Sequence, residues 1–190
     1  MDERTLRIIS VAMELAERDG YEAVRLRELA AQADVALGTV YKRFSSKEDI
    51  LAAALQMQVD AMANNVREHP IEGATPRARL DSFFATATQA LSQRPKLAGA
   101  MLRTVASGVP ELSEKVTRFH GRMTEVILAV YRGEWSEDFP SEEEQTLAHL
   151  LQNVWFATLV GWTGGLHDQE VVVETVNQAT RLLLKGMEAS

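Results

Sequence analysis

Between Arg25 and Lys47 five cations, Arg25, Arg27, Lys42, Arg43 and Lys47, stand against only Glu28 and Asp34, in a chain of formal net charge −7. Clustered cations can neutralise phosphate, and phosphate contacts supply most of the sequence-independent energy of nucleic-acid binding. An acidic remainder repels DNA elsewhere and confines the attraction to one face. Other chemistry is thin. There is no Cys to act as nucleophile or to ligate zinc, and His69, His120, His149 and His167 fall on different elements. The chain has no Ser-His-Asp order around a strained nucleophile turn, no phosphate-cradling glycine loop and no HExxH. No enzyme, no metal site and no cofactor are expected.

The elements that must hold these cations read at helical period throughout, with no alternating strand pattern. The fold class is all-α with about nine helices. A first helix is expected from about Thr5 to Asp19, with Leu6, Ile9, Ala12, Met13 and Ala16 inward and Gly20 ending it in the left-handed conformation. Leu26 to Ala33 and Leu37 to Phe44 are two short helices joined by Asp34-Val35-Ala36. This is helix-turn-helix spacing: small Ala30 lets the two helices cross closely, and Asp34 tolerates positive φ in the turn. With Val40 and Phe44 buried one turn apart, Leu37, Gly38, Thr39, Tyr41 and Lys42 face solvent, with Arg43 at the edge.

Ser45-Ser46-Lys47-Glu48 reads as a capping box opening a long helix towards Arg67, stopped by His69-Pro70. Thr75-Pro76 and Pro95 open the fifth and sixth helices, Glu111 to Arg132 forms a seventh closed by Gly133, and Ser141 with Glu144 boxes the eighth. Asp168 caps the last. The division expected is a helix-turn-helix domain over residues 1–46 and a larger helical domain over 47–190.

Composition fits a globular chain: 190 residues, 46% hydrophobic and 6% aromatic. The absence of Cys suits a reducing compartment, the first residues are charged, and no stretch reaches the roughly 18 apolar residues a membrane span needs. A cytoplasmic protein, neither exported nor embedded, is expected.

Gly20-Tyr21-Glu22-Ala23-Val24, Leu26-Arg27-Glu28-Leu29-Ala30, Ala33-Asp34-Val35-Ala36-Leu37-Gly38-Thr39-Val40-Tyr41, Phe44 and Ser46-Lys47-Glu48 together resemble the signature of TetR-family repressors over roughly residues 5–52. More weakly, Gly73-Ala74-Thr75-Pro76 and the Val154-Trp155, Leu159, Trp162 stretch are similar to sterol- and lipid-catabolism repressors of the KstR type. The resemblance implies that Tyr41 and Lys47 contact backbone phosphates, Lys47 from the start of a helix whose dipole favours an anion. It implies that Leu37, Gly38, Thr39 and Lys42 meet base edges: Gly38 permits close approach, Thr39 bonds or touches a thymine methyl, Lys42 reaches guanine. Two departures stand out. Where the family commonly carries Ser or Thr caps this chain has Arg25, itself able to reach a phosphate, and Ala36, which forfeits about 1 kcal/mol of cap; Asp34 replaces a glycine.

The resemblance further implies a homodimer on a palindromic double-stranded operator, with recognition helices about 34–36 Å apart. The last two helices carry Leu147, Leu150, Leu151, Val154, Leu159 and Trp162, then Val172, Val176, Ala179, Leu182 and Leu183, more than one buried face requires; core packing is the alternative. Met57, Met62, Phe83, Phe84, Met101, Met123 and Trp155 are candidates to line a pocket for a small apolar effector of unknown identity, or are plain core. Arg103, Thr104 and His120 are polar anchors for a ligand carboxylate or thioester, or are solvated. The fourth helix is the expected lever between effector and DNA. A helical protein-interaction module without DNA binding is the rival reading.

Overall fold

Asp2 begins the first helix by accepting the Thr5 N–H on Oδ1 at 2.8 Å, and α1 (Glu3–Asp19) then buries Ile8, Ile9, Ala12, Leu15 and Ala16. The buried stripe is rotated from the one the spacing suggests, since Leu6 is exposed and Met13 only half-buried. Gly20 ends the helix with φ +84° as expected for a glycine stop, but its ψ of −173° is extended rather than left-handed helical, a region essentially reserved for glycine. The computed structural model describes residues 1–189.

A 3-10 turn, Tyr21–Ala23, absent from the sequence expectation, leads into α2 (Leu26–Gln32) and α3 (Leu37–Arg43). Asp34 takes φ +50° in the turn between them, and its short polar side chain is what makes that conformation accessible. Then follow α4 (Lys47–Glu68), α5 (Pro76–Ser92), α6 (Pro95–Ala106), α7 (Ser113–Arg132), α8 (Glu142–Thr163) and α9 (Gln169–Glu188). Among the described residues there are nine α-helices and no strand. A second 3-10 turn, Pro110–Leu112, occupies the segment expected to begin α7. None of these helices is long and apolar enough to cross a membrane.

The capping box of α4 is displaced by one residue from the Ser45/Glu48 pair. Ser46 Oγ accepts the Asp49 N–H at 3.2 Å, while Asp49 reaches back to the Ser45 N–H at 2.9 Å. At α8 the expected box forms: Ser141 and Glu144 exchange bonds of 3.1 and 2.8 Å. Asp168 stands at the cap position of α9 without the side-chain bond that a capping role predicts.

Contacts group the chain into two units, Met1–Gln58 with Arg94–Phe119, and Val59–Gln93 with the chain from His120 onward. They cut the chain differently from a division at residue 46, because α6 packs on α1. In the first unit Ile8, Ile9, Leu15, Leu29, Val40, Phe44, Ile50, Leu51, Leu97 and Met101 share one apolar core, so α1, α4 and α6 brace the helix-turn-helix. In the second unit α9 packs against both α5 and α8. Arg79 of α5 donates to the Val130 and Tyr131 carbonyls at 2.9 and 2.5 Å, satisfying carbonyls that the end of α7 leaves unpaired. Arg132 and Glu144 close the α7–α8 turn with a bidentate pair at 2.9 and 2.7 Å.

Candidate nucleic-acid interface

The helix-turn-helix is held from within by Leu29 and Ala30 of α2 and by Val40, which is fully buried in α3. Phe44 closes it behind α3. Burying these leaves one face of α3 outward. Tyr41 is 57% exposed, Lys42 and Gly38 are exposed, and Thr39 is half-buried. No hydrogen bond or ion pair ties the side chain of Tyr41 or Lys42 to another described residue. A Cβ built at Gly38 would meet no atom within 4 Å, so internal packing gives no reason for glycine there. Leu37 differs from expectation: it is half-buried and leans on the core beneath, leaving only part of its surface outward.

The two helix starts behave as their sequence departures predict. Arg25 and Ala36 occupy the cap positions of α2 and α3 with extended backbones and no side-chain cap bond. Arg25 is exposed and leaves its guanidinium at the surface.

Arg43 and Lys47 are engaged by carboxylates, which spacing along the sequence gives no means of finding. Arg43 is turned back onto α1: its Nη2 donates to Asp2 Oδ2 at 2.6 Å and its Nε to Thr5 Oγ1 at 2.9 Å. Asp2 is held at about 2, chiefly by the Thr5 backbone and hydroxyl bonds and then by Arg43. Arg43 therefore braces the end of α3 and does not join the outward face. Lys47 lies 3.2 Å from Glu22 Oε2 and 3.9 Å from the centre of the Tyr21 ring. Arg103 of α6 reaches the same two residues, 3.1 Å from Glu22 Oε1 and 4.1 Å from the ring. Tyr21 donates its hydroxyl to Glu48, and burial with that bond pushes the phenol up to about 12. Arg103, considered as an anchor for an effector, is instead committed to this cluster.

The candidate effector residues separate. Met101 is buried in the first unit's core, Met57 is half-buried against it, and Thr104 spends its hydroxyl on the Ala100 carbonyl at 3.0 Å. In the second unit Phe83, Phe84 and Trp155 form an aromatic group with centroids 5.2, 6.4 and 5.4 Å apart. Trp155 Nε1 donates to the buried Thr88 at 2.9 Å. Met123 is buried. His120 stands edge-on to Phe156 with centroids 6.1 Å apart and bonds to Gln152, whose Oε1 accepts the Thr124 hydroxyl at 3.2 Å. Burial, and then neighbouring His149, holds the His120 imidazole below its ordinary range. Sequence reasoning missed Thr88, Thr124 and Gln152; Thr88 lies one turn beyond Phe84, the single hint available. A cleft of about 460 Å³ in this unit is lined by a different set, including Arg67, Arg122, Trp135 and His149.

Comparison with known proteins agrees with this geometry. The family model described as bacterial regulatory proteins, tetR family, matches residues 8–54, and the tetracyclin repressor-like C-terminal domain matches residues 73–183. The chain is 28% identical to the transcriptional repressor KstR of Mycobacterium tuberculosis over 99% of this chain and 84% of that one. It superposes on a TetR transcriptional regulator from Rhodococcus sp. RHA1 with TM-score 0.84 and 25% identity, covering 95% of each chain. It shares the fold of Thermus thermophilus FadR in complex with lauroyl-CoA, with TM-score 0.74, 21% identity and coverage of 96% and 94%. An outward recognition face braced by three other helices, together with matches over both parts of the chain, places this protein in the TetR family of bacterial DNA-binding transcriptional regulators.

Proposed function

We propose that the chain acts in the cytoplasm as a homodimeric repressor that binds a palindromic operator and is released by a small apolar effector. The observation that carries the DNA reading is the outer face of α3, where exposed Tyr41 and Lys42 make no hydrogen bond or ion pair with another described residue and Gly38 fronts open space. Tyr41 donates to a phosphate, as does Lys47 at the start of α4, and these contacts position the protein. Lys42, Thr39, Gly38 and the outward part of Leu37 meet base edges and select sequence. Arg25 adds a phosphate contact. Residues 1–46 form the DNA-binding domain and 47–190 the effector and dimerisation domain.

Exposed apolar side chains on α8 and α9, Leu150, Val160, Val171 and Leu182, support the dimer, in which they are covered by a second copy. About half of the apolar residues read from the sequence as dimer candidates, Leu147, Leu151, Leu159, Val172 and Val176, are buried within the single chain. The effector site is the second unit's aromatic group of Phe83, Phe84 and Trp155 with Met123 and His120. Met57, Met101 and Thr104 are left to the packing of the first unit. An acyl or sterol-derived effector is supported by that apolar lining and by the lauroyl-CoA complex of the Thermus relative. The effector works by binding one dimer arrangement better, and a difference of about 1–3 kcal/mol changes operator affinity roughly 5- to 150-fold. α4 transmits it, since its residues belong to both units.

The test is titration of the duplex upstream of the protein's own gene against a scrambled duplex. Tyr41→Ala is expected to weaken binding to both, and Lys42→Ala to relax the preference between them by about 1–3 kcal/mol. Equal losses on both duplexes for both variants would contradict the division of labour; no salt-dependent binding at all would remove the reading.

A further inference from the structure

We infer that Glu22 is a shared counter-charge through which Arg103 of α6 sets how strongly Lys47 attracts a DNA phosphate. The inference rests on the reading of Lys47 as a phosphate contact and adds a residue, remote in sequence, that tunes it. Glu22 presents one carboxylate oxygen to each cation, Oε2 to Lys47 at 3.2 Å and Oε1 to Arg103 at 3.1 Å. The Tyr21 ring lies against both, 3.9 Å from the ammonium and 4.1 Å from the guanidinium. Glu48, bonded to the Tyr21 hydroxyl, completes a cluster of two cations and two anions. Balance in this cluster decides what an approaching phosphate meets.

With Arg103 present, half of the Glu22 charge is engaged away from Lys47 and the local sum is neutral. Without Arg103, one excess negative charge sits beside Lys47, and the freed oxygen can bind the ammonium more fully. Without the Glu22 charge, the Lys47 ammonium meets the phosphate unopposed by that carboxylate, and Arg103 loses the partner through which it acts. A unit charge about 6 Å from a phosphate in a water-like dielectric changes affinity roughly threefold per half-site, hence roughly tenfold for a dimer engaging both. Arg103 is thus a positioning residue for the DNA contact, and α6 has a hold on that contact that does not run along α4.

The experiment measures affinity of the full-length protein for its own upstream duplex by fluorescence anisotropy, at low salt and at about 0.5 M salt, where exposed charges are screened within about 5 Å. Glu22→Gln is expected to tighten binding and Arg103→Ala to weaken it, each about tenfold at low salt, with both effects largely lost at high salt. Arg103→Lys should restore most of the loss, and Arg103→Ala should cost much less than tenfold once Glu22 is replaced by Gln, so that the double variant Glu22→Gln with Arg103→Ala binds more tightly than the parent. An equal loss from Arg103→Ala in both backgrounds, or one that persists at high salt, overturns the inference, because a direct or merely structural role predicts it. If Arg103→Ala fails to fold, Glu22→Gln decides alone: an exposed carboxylate made neutral at constant shape must tighten binding. Lys47→Ala separates the two levels. If it binds as the parent does, the phosphate reading fails and this inference with it; if it weakens binding while Glu22→Gln and Arg103→Ala do nothing, the sharing alone fails.

Discussion

Gly38→Ala should stabilise the protein and impair its function, and the two signs together separate a DNA-reading helix from a merely solvated one. Gly38 is the second residue of α3, its φ is not positive, and an added Cβ meets no atom within 4 Å. The fold therefore gains by replacement: glycine inside a helix costs about 0.8–1 kcal/mol relative to alanine, and about 0.5 kcal/mol is expected in this first turn. A methyl group held against a base edge instead has no room to yield. It costs about 1–2 kcal/mol per half-site by the scale of overpacking, so two half-sites lose roughly 30- to 1000-fold in affinity. Urea denaturation reads the first quantity and anisotropy with the upstream duplex reads the second. Unchanged or tighter DNA binding by Gly38→Ala would refute the assignment of Gly38 to a close approach, whatever the stability change.

Other outcomes follow from the same geometry. Val40 is fully buried beside exposed Tyr41, so Val40→Ala should destabilise by about 2–3 kcal/mol in urea, whereas Tyr41→Ala should change stability by less than about 0.5 kcal/mol. Glu144 is pulled from 4.5 to about 2, first by its bond to Arg132. A carboxylate depressed on folding stabilises above its unfolded pKa and loses that contribution as pH falls, so parent stability should drop between about pH 5 and pH 2. Glu144→Gln should flatten that fall and cost about 1–2 kcal/mol near neutrality, discounted for screening at the surface. Leu182 is 59% exposed on α9, so Leu182→Glu should leave the single chain folded while sedimentation velocity reports monomer in place of dimer.

Several helices were legible because they carry their own local punctuation. Pro76 and Pro95 start helices, Ser141 and Glu144 box one, and Asp34 takes the turn conformation that a short polar side chain permits. The outward row of α3 was legible for the same reason, since burial of Val40 and Phe44 dictates the opposite face. What was not legible is tertiary. Arg43 meets Asp2 across 41 residues, and no periodicity records that pairing. Glu22 meets Lys47 and Arg103 from distant parts of the chain. Composition alone groups Met101 with Phe84, but helix packing commits Met101 to the core around α1. The displaced box at Ser46 and Asp49 shows the limit even of local signals, because Ser45-Ser46 offers two registers and only the backbone chooses.

For the chain to act as proposed, α3 must meet DNA twice on one duplex. Hydroxyl-radical footprinting of the protein's own upstream region tests this directly. Two protected patches are expected, separated by about one helical turn of 10–10.5 base pairs or a multiple of it, and both should vanish with Tyr41→Ala. A single unpaired patch, or a paired footprint indifferent to Tyr41→Ala, would contradict it.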